Sequence, residues 1–167
     1  MKFDLGLSQD NDLSDLIRLS AQARVRYKII PSLAHVADSP ALSEERFNVC
    51  RVMVAVDRDS QRVIGFAAMR PLDGFLYLDT LAVDPEASGN GVGEGLLLSV
   101  MAHAHAQQVK AVSLATFREP LWNGPWFRKH GFFPMPQAHV GAGLRAVIDR
   151  QSLTHRPATR ETLWRLL

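Results

Sequence analysis

Residues 81–95 read LAVDPEASGNGVGEG. The stretch leaves an apolar segment, crosses a polar, Pro-containing loop and ends in glycines at alternate positions, where a helical pattern takes over. Upstream, Phe75–Val83 (FLYLDTLAV) has the apolar, aromatic-rich character of a strand. Downstream, Gly91 to Gln108 places Val92, Leu96, Leu97, Val100, Met101 and Ala104 on one face of a helix. At 1.5 Å per residue such a helix spans roughly 27 Å, enough to cross a sheet. Ala111–Phe117 (AVSLATF) then reads as another strand. Strand, helix and strand in this order form a parallel crossover unit.

Working outward, Lys2–Leu7 alternates as a strand, and Leu13, Leu16, Ile17, Ser20, Ala23 and Tyr27 recur at helical spacing behind the polar cluster Ser8–Asp12. Pro31–Pro40 reads as a loop and Ser43–Asn48 as a short helix. Val49–Val56 reads as a central strand carrying Cys50, and Val63–Met69 as the next. With Phe75–Val83 these two suggest an antiparallel meander. Beyond Phe117 the expectations are a short helix at Pro125–His130, a strand starting in Gly131–Met135 and a last strand within Thr159–Leu167. The expected fold class is α/β (α+β): a mixed, mostly antiparallel sheet of six to seven strands, flanked by helices, in one domain over residues 1–167.

Composition narrows the function classes. The chain has 167 residues, 47% hydrophobic and 22% charged, as in ordinary globular proteins and unlike disordered or coiled-coil chains. A formal charge of +2 is too small to point to nucleic acid. One cysteine excludes an internal disulfide and a multi-cysteine metal site. The first ten residues carry acids where a leader would be apolar, and no apolar run reaches ~18 residues, so a cytoplasmic protein with no membrane partner is expected. Charge is uneven: residues 1–109 hold 10 basic and 14 acidic side chains, residues 110–167 hold 9 and 3.

Four of the eleven glycines fall between Ser88 and Gly95. Unpaired amides and the dipole at a helix start make an anion site, and glycine lets an anion approach the backbone closely. A flexible turn is the alternative. Gly95 argues against it, since a glycine inside a helix costs about 1 kcal/mol relative to Ala and implies close packing. Glu94 stands where a dinucleotide fingerprint needs its third glycine, and no Lys-Ser/Thr comes next as in a triphosphate loop.

The segments LDTLAVDPEASGNGVGEGLL, SLATF and WNGPWFRKHGF, in this order, resemble the GNAT-type N-acetyltransferases, which use acetyl-CoA. The resemblance is good over roughly Val49–Phe133. Gly91 and Gly93 match that family's loop pattern, with Ser88 in place of its usual Gln or Arg. Trp126 to Phe132 match its aromatic–aromatic–x–x–x–Gly-Phe segment. The resemblance implies that the backbone of Ser88, Gly89, Asn90, Gly91, Val92, Gly93 and Glu94 holds the CoA pyrophosphate. It also implies that the edge of Leu81, Ala82 and Val83 pairs with the pantetheine arm as an added strand would. An N–H near Ala82 or Val83 would polarise the acetyl carbonyl, and Asn123 would contact pantetheine or the attacking amine. Phe127 stands where the family commonly has a tyrosine acid; it would line the cofactor cleft but cannot donate a proton. Tyr77 or His130 would then have to substitute, or the thiolate would leave unaided.

Asp79, interrupting an apolar strand, is the leading candidate for the base, against a salt bridge or bulge residue; Glu119 is second. By alternation Tyr77, Asp79, Leu81 and Val83 share a face. No metal site is expected. His103 and His105 point about 200° apart on a helix, the Asp57–Ser60 turn lacks the rest of a calcium loop, and Cys50 reads as a small hydrophobe. Arg128-Lys129-His130 reads as a solvated helix face.

The function expected is transfer of acetyl from acetyl-CoA to a small-molecule or peptide amine; the alternative is a catalytically weak or inactive CoA-binding module. The acceptor segment, around Arg24–Ser43, has no diagnostic pattern. Leu163, Trp164, Leu166 and Leu167 leave both homodimer and monomer open. The basic segment 110–167 would favour polyanionic CoA and the acidic segment 1–109 an amine.

Overall fold

The computed structural model describes all residues, Met1–Leu167. Seven strands form one sheet: β1 (Phe3–Leu7), β2 (Arg51–Asp57), β3 (Val63–Leu72), β4 (Phe75–Val83), β5 (Ala111–Phe117), β6 (Phe133–Pro134) and β7 (Arg160–Leu166), in the order β1-β2-β3-β4-β5-β7-β6. The helices are α1 (Leu13–Gln22), α2 (Glu44–Asn48), α3 (Val92–Ala106), α4 (Gly124–Lys129) and α5 (Ala142–Gln151). β4 and β5 pair in parallel, joined by α3; the other registered pairs are antiparallel. Asp73 and Gly74 join β3 to β4 with φ of +53° and +80°, the two positive values that a type I′ hairpin turn requires. The expected meander and crossover are present.

The chain divides into two compact units. The first comprises Met1–Met69 and Thr80–Ala102. Its core gathers Leu16, Leu19, Phe47, Val54, Phe66 and Ala82, with Phe47 edge-on to Phe66 at 5.4 Å. α2 starts where the Ser43 hydroxyl accepts from the Arg46 N–H, an N-cap. Pro31–Asp38, expected as a loop, is 3-10 helical with Leu33 and Val36 buried. Proline suits a first helical turn, and apolar residues three apart bury one side of such a helix. Cys50 precedes β2 and is half-buried rather than a strand residue.

The second unit comprises Arg70–Asp79 and His103–Leu167. Its core gathers Tyr77, Ala111, Met135, Leu144, Val147 and Trp164. α5 has no counterpart among the elements expected from the sequence. Its first amides are capped from far away: the Asp73 carboxylate accepts from Gly143 N–H at 2.9 Å and Leu144 N–H at 2.8 Å. The strand expected within Gly131–Met135 shortens to Phe133–Pro134, because proline cannot donate to a ladder and is confined to an edge.

Candidate active site

In the first unit, β4 ends at Val83, and Asp84 organises the turn beyond it. The Asp84 N–H donates to Ile64 O at 2.8 Å, and its carboxylate accepts from Glu86 N–H at 3.0 Å and lies 4.0 Å from Arg18. Ala87 N–H closes a 3-10 turn onto Asp84 O at 2.9 Å, and Ser88 N–H donates to Pro85 O at 3.3 Å. Gly89 and Gly91 both adopt φ +80°, and a Cβ built on either meets nothing within 4 Å. Asn90 between them folds its side-chain amide onto Ala87 O at 3.1 Å. The first helical bond runs from Gly95 N–H to Gly91 O at 2.9 Å. The amides of Val92, Gly93 and Glu94 therefore precede the hydrogen-bonded ladder of α3 and face outward, as at any helix start.

Two further glycines hold α3 in place. A Cβ on Gly65, in β3, would stand 3.0 Å from Val92, 3.1 Å from Ala82 O and 3.1 Å from Leu96. A Cβ on Gly95 would stand 3.2 Å from the Phe3 ring. Gly95 thus has the packing reason its position implied. Gly65 lies outside every sequence motif quoted above, although a glycine inside an apolar strand signals close backbone approach. Val92 is 1% exposed, anchoring the helix start while Ser88–Gly91 stay exposed. Leu81 and Val83 are half-buried and Ala82 is buried, so this unit joins a strand end to an anion-shaped loop.

The second unit holds the other candidates. The parallel pairing of β4 with β5 is registered at Leu76–Val112 and Tyr77–Ser113, while β5 continues to Phe117 along β7. Tyr77 is 1% exposed, within the apolar core, with the Arg70 guanidinium 5.3 Å from its ring. Asp79, two residues on, is half-buried, and Glu119 is exposed. Asn123 is 9% exposed and opens α4, its N–H on Pro120 O at 2.9 Å and its carbonyl accepting from Phe127 N–H at 3.0 Å.

α4 explains the aromatic motif physically. Gly131 has φ +87°; its N–H donates to Arg128 O, and Phe132 N–H donates to Phe127 O, both at 3.2 Å. These are the paired bonds of a Schellman cap, completed by the apolar contact between the residue past the glycine and the last helical turn. That contact is Phe132 against Phe127, ring centroids 5.5 Å apart. Phe127 is 7% exposed and also edge-on to Trp126. Arg128 is not a bare solvated charge: it pairs with Glu161, whose side chain is 6% exposed and which Arg118 approaches to 3.7 Å.

No group of three His, Cys, Asp or Glu side chains is placed to hold a metal ion, and no helix is long and apolar enough to cross a membrane.

A strand end feeding an exposed glycine loop at a helix start, on a sheet with one parallel pair, is an anion-binding arrangement in a mixed α/β fold. The sequence pattern of the acetyltransferase (GNAT) family matches residues 23–132, and the chain belongs to that family. Among solved structures, it is similar to a PaiA N-acetyltransferase of Thermoplasma acidophilum in complex with coenzyme A, at TM-score 0.72, 14% identity and full coverage of both chains. It is similar to N-acetylglutamate synthase of Neisseria gonorrhoeae, complexed with coenzyme A and N-acetyl-glutamate, at TM-score 0.70 and 17% identity, covering all of this chain and 35% of that one. It is also similar to the ribosomal-protein-S18-alanine N-acetyltransferase of Escherichia coli, at TM-score 0.66 and 12% identity, with 99% and 94% covered.

Proposed function

We propose that this chain, a single acetyltransferase domain over residues 1–167, transfers acetyl from acetyl-CoA to an amine by direct attack in a ternary complex. The observation that carries the reading is the loop at the start of α3, where two positive-φ glycines stand clear of every neighbour and the helix amides lead outward. A pyrophosphate on those amides would meet aligned donors and the helix dipole without a side chain in the way. Membership of the acetyltransferase family and the likeness to CoA-bound structures support the same assignment.

In this reading the main chain of Leu81–Val83 pairs with the pantetheine arm. An N–H near Ala82 or Val83 stabilises the oxyanion as the nitrogen lone pair attacks the thioester carbon. The C–N bond forms, the C–S bond breaks, and the sulfur departs as thiolate. The proton lost by the amine passes to Asp79 through water. Asn123 steadies the pantetheine or the amine. Phe127 contributes packing alone; with no ionisable atom there, solvent protonates the departing thiolate.

The buried Phe127, in the place of the family's usual acid, favours a second reading: a CoA-binding module with weak or no turnover. Two measurements separate the cases. Melting with CoA, NAD and ATP identifies the ligand, because a ligand selective for the folded state raises the midpoint. Stabilisation by ATP or NAD with indifference to CoA defeats both readings. Thiol release from acetyl-CoA across an amine panel then separates enzyme from binder.

A further inference from the structure

The second unit contains a cavity of about 260 Å³ between α5 and the β5–β7 ladder. Its lining includes the apolar Ala115, Met135 and Ile148 and three arginines, Arg118, Arg145 and Arg160, with His155. Glu161 is the acidic side chain of the lining, and it is already engaged by Arg128 from α4. The lining thus combines an excess of positive charge with apolar side chains.

Two of the guanidiniums are oriented by neutral side-chain amides. Arg145 donates to the Gln137 side-chain oxygen at 2.8 Å, and Arg160 donates to that of Gln151 at 3.0 Å while lying 4.4 Å from the Phe117 ring centroid. Arg118 donates to Arg160 O at 2.9 Å and also lies 3.7 Å from the Glu161 carboxylate, which it shares with Arg128. A neutral amide oxygen orients a guanidinium without cancelling its charge, so an incoming anion can displace it with gain.

The cavity also has a defined place relative to β4. Registered partners share a face, and Tyr77, Ser113 and Trp164 form one such row. Ala115 and Thr162, the next row on that face of β5 and β7, both line the cavity. Asp79, two residues beyond Tyr77, projects from the same face by alternation.

We infer that this cavity binds the carboxylate of the acceptor, so that the substrate class is a small amine bearing a carboxylate, of amino-acid size. The inference rests on the acetyltransferase reading above for the word acceptor; the anion site itself does not. A planar carboxylate matches the guanidinium fork, and the cavity falls below the ~300–1,000 Å³ of drug-sized sites. Three of the nine bases in residues 110–167 are thereby assigned to the acceptor rather than to CoA.

The test has two arms. Without acetyl-CoA, wild type, Arg145→Met and Ser152→Glu are titrated calorimetrically with succinate and with inorganic phosphate. Arg145 and Ser152 are exposed residues of α5 and its end, so both variants keep the fold. Succinate is expected to bind wild type and to lose at least about tenfold in affinity in each variant. No succinate binding to wild type at about 10 mM, or binding of phosphate alone, overturns the proposal. In the second arm, thiol release is measured with amino acids and with the same amines lacking the carboxylate. The carboxylated acceptors are expected to show a KM at least about tenfold lower. Arg145→Met should erase that advantage and leave the KM for acetyl-CoA unchanged. Equal KM values overturn the proposal. Succinate binding without CoA binding would instead defeat the acetyltransferase reading and leave the anion site standing.

Discussion

Gly91→Ala and Gly74→Ala form a matched pair that tests the loop. Both glycines adopt φ +80°, and at both a Cβ meets nothing within 4 Å. Neither substitution therefore creates a clash in the free protein; each costs only the strain of a left-handed alanine, about 1–2 kcal/mol. In a chain of this length that lowers Tm by roughly 2–8 °C in both variants. The two should part company on adding CoA. At Gly91 the new methyl group occupies the space from which a pyrophosphate reaches the amides of Val92, Gly93 and Glu94. Losing one charge-assisted hydrogen bond costs about 1.5–3 kcal/mol, which weakens CoA binding about 10- to 150-fold. Gly74, in the β3–β4 turn, should bind CoA as wild type does. Calorimetric titration of the three proteins reads this directly. Equal affinities for all three, or equal losses in both variants, would refute the assignment of the loop.

Individual contacts set the other expected outcomes. Asp79→Asn should lower kcat by roughly 10²–10⁴ and flatten the fall of rate on the acid side of the pH profile, with the KM for acetyl-CoA unchanged; an unaltered pH–rate profile would reject Asp79 as the base. Asp73→Ala should cost about 0.5–2 kcal/mol by uncapping α5, and Asp73→Asn less, since it keeps an acceptor oxygen; urea unfolding compares them. The Ser60 hydroxyl, and then its N–H, hold the Asp57 carboxyl below its usual value. A depressed folded-state pKa contributes stability above the ordinary carboxylate range, and that contribution is lost as pH falls through the lowered value. Ser60→Ala should therefore move the Asp57 titration upward by carboxyl NMR, with its stability deficit vanishing at low pH; an unmoved midpoint contradicts the cause.

The elements around the glycine loop were legible because each carries its signal locally. β4 announces itself by its apolar run, α3 by its apolar face, and α4 by the Gly131-Phe132 pair that its cap requires. α5 does not. Its N-terminus comes after Gly141 with no capping side chain of its own, and the acceptor for its amides, Asp73, lies 70 residues upstream. No local pattern reports such a cap, so the arginine-lined cavity beneath α5 was equally invisible. Gly65 belongs to an intermediate case: its oddity inside a strand is visible, but the partner that needs the space, Val92, is not. Arg128 looked like a solvated charge because its partner Glu161 sits in the last strand, 33 positions away.

The most direct test of the central claim is an amide ¹⁵N–¹H spectrum of the labelled protein with and without one equivalent of CoA. The account predicts that the shifts concentrate in Leu81–Val83 and Gly89–Glu94, and that Gly91→Ala diminishes them at the same CoA concentration while leaving the free spectrum otherwise intact. CoA-induced shifts that spare this loop, or none at all, would contradict it.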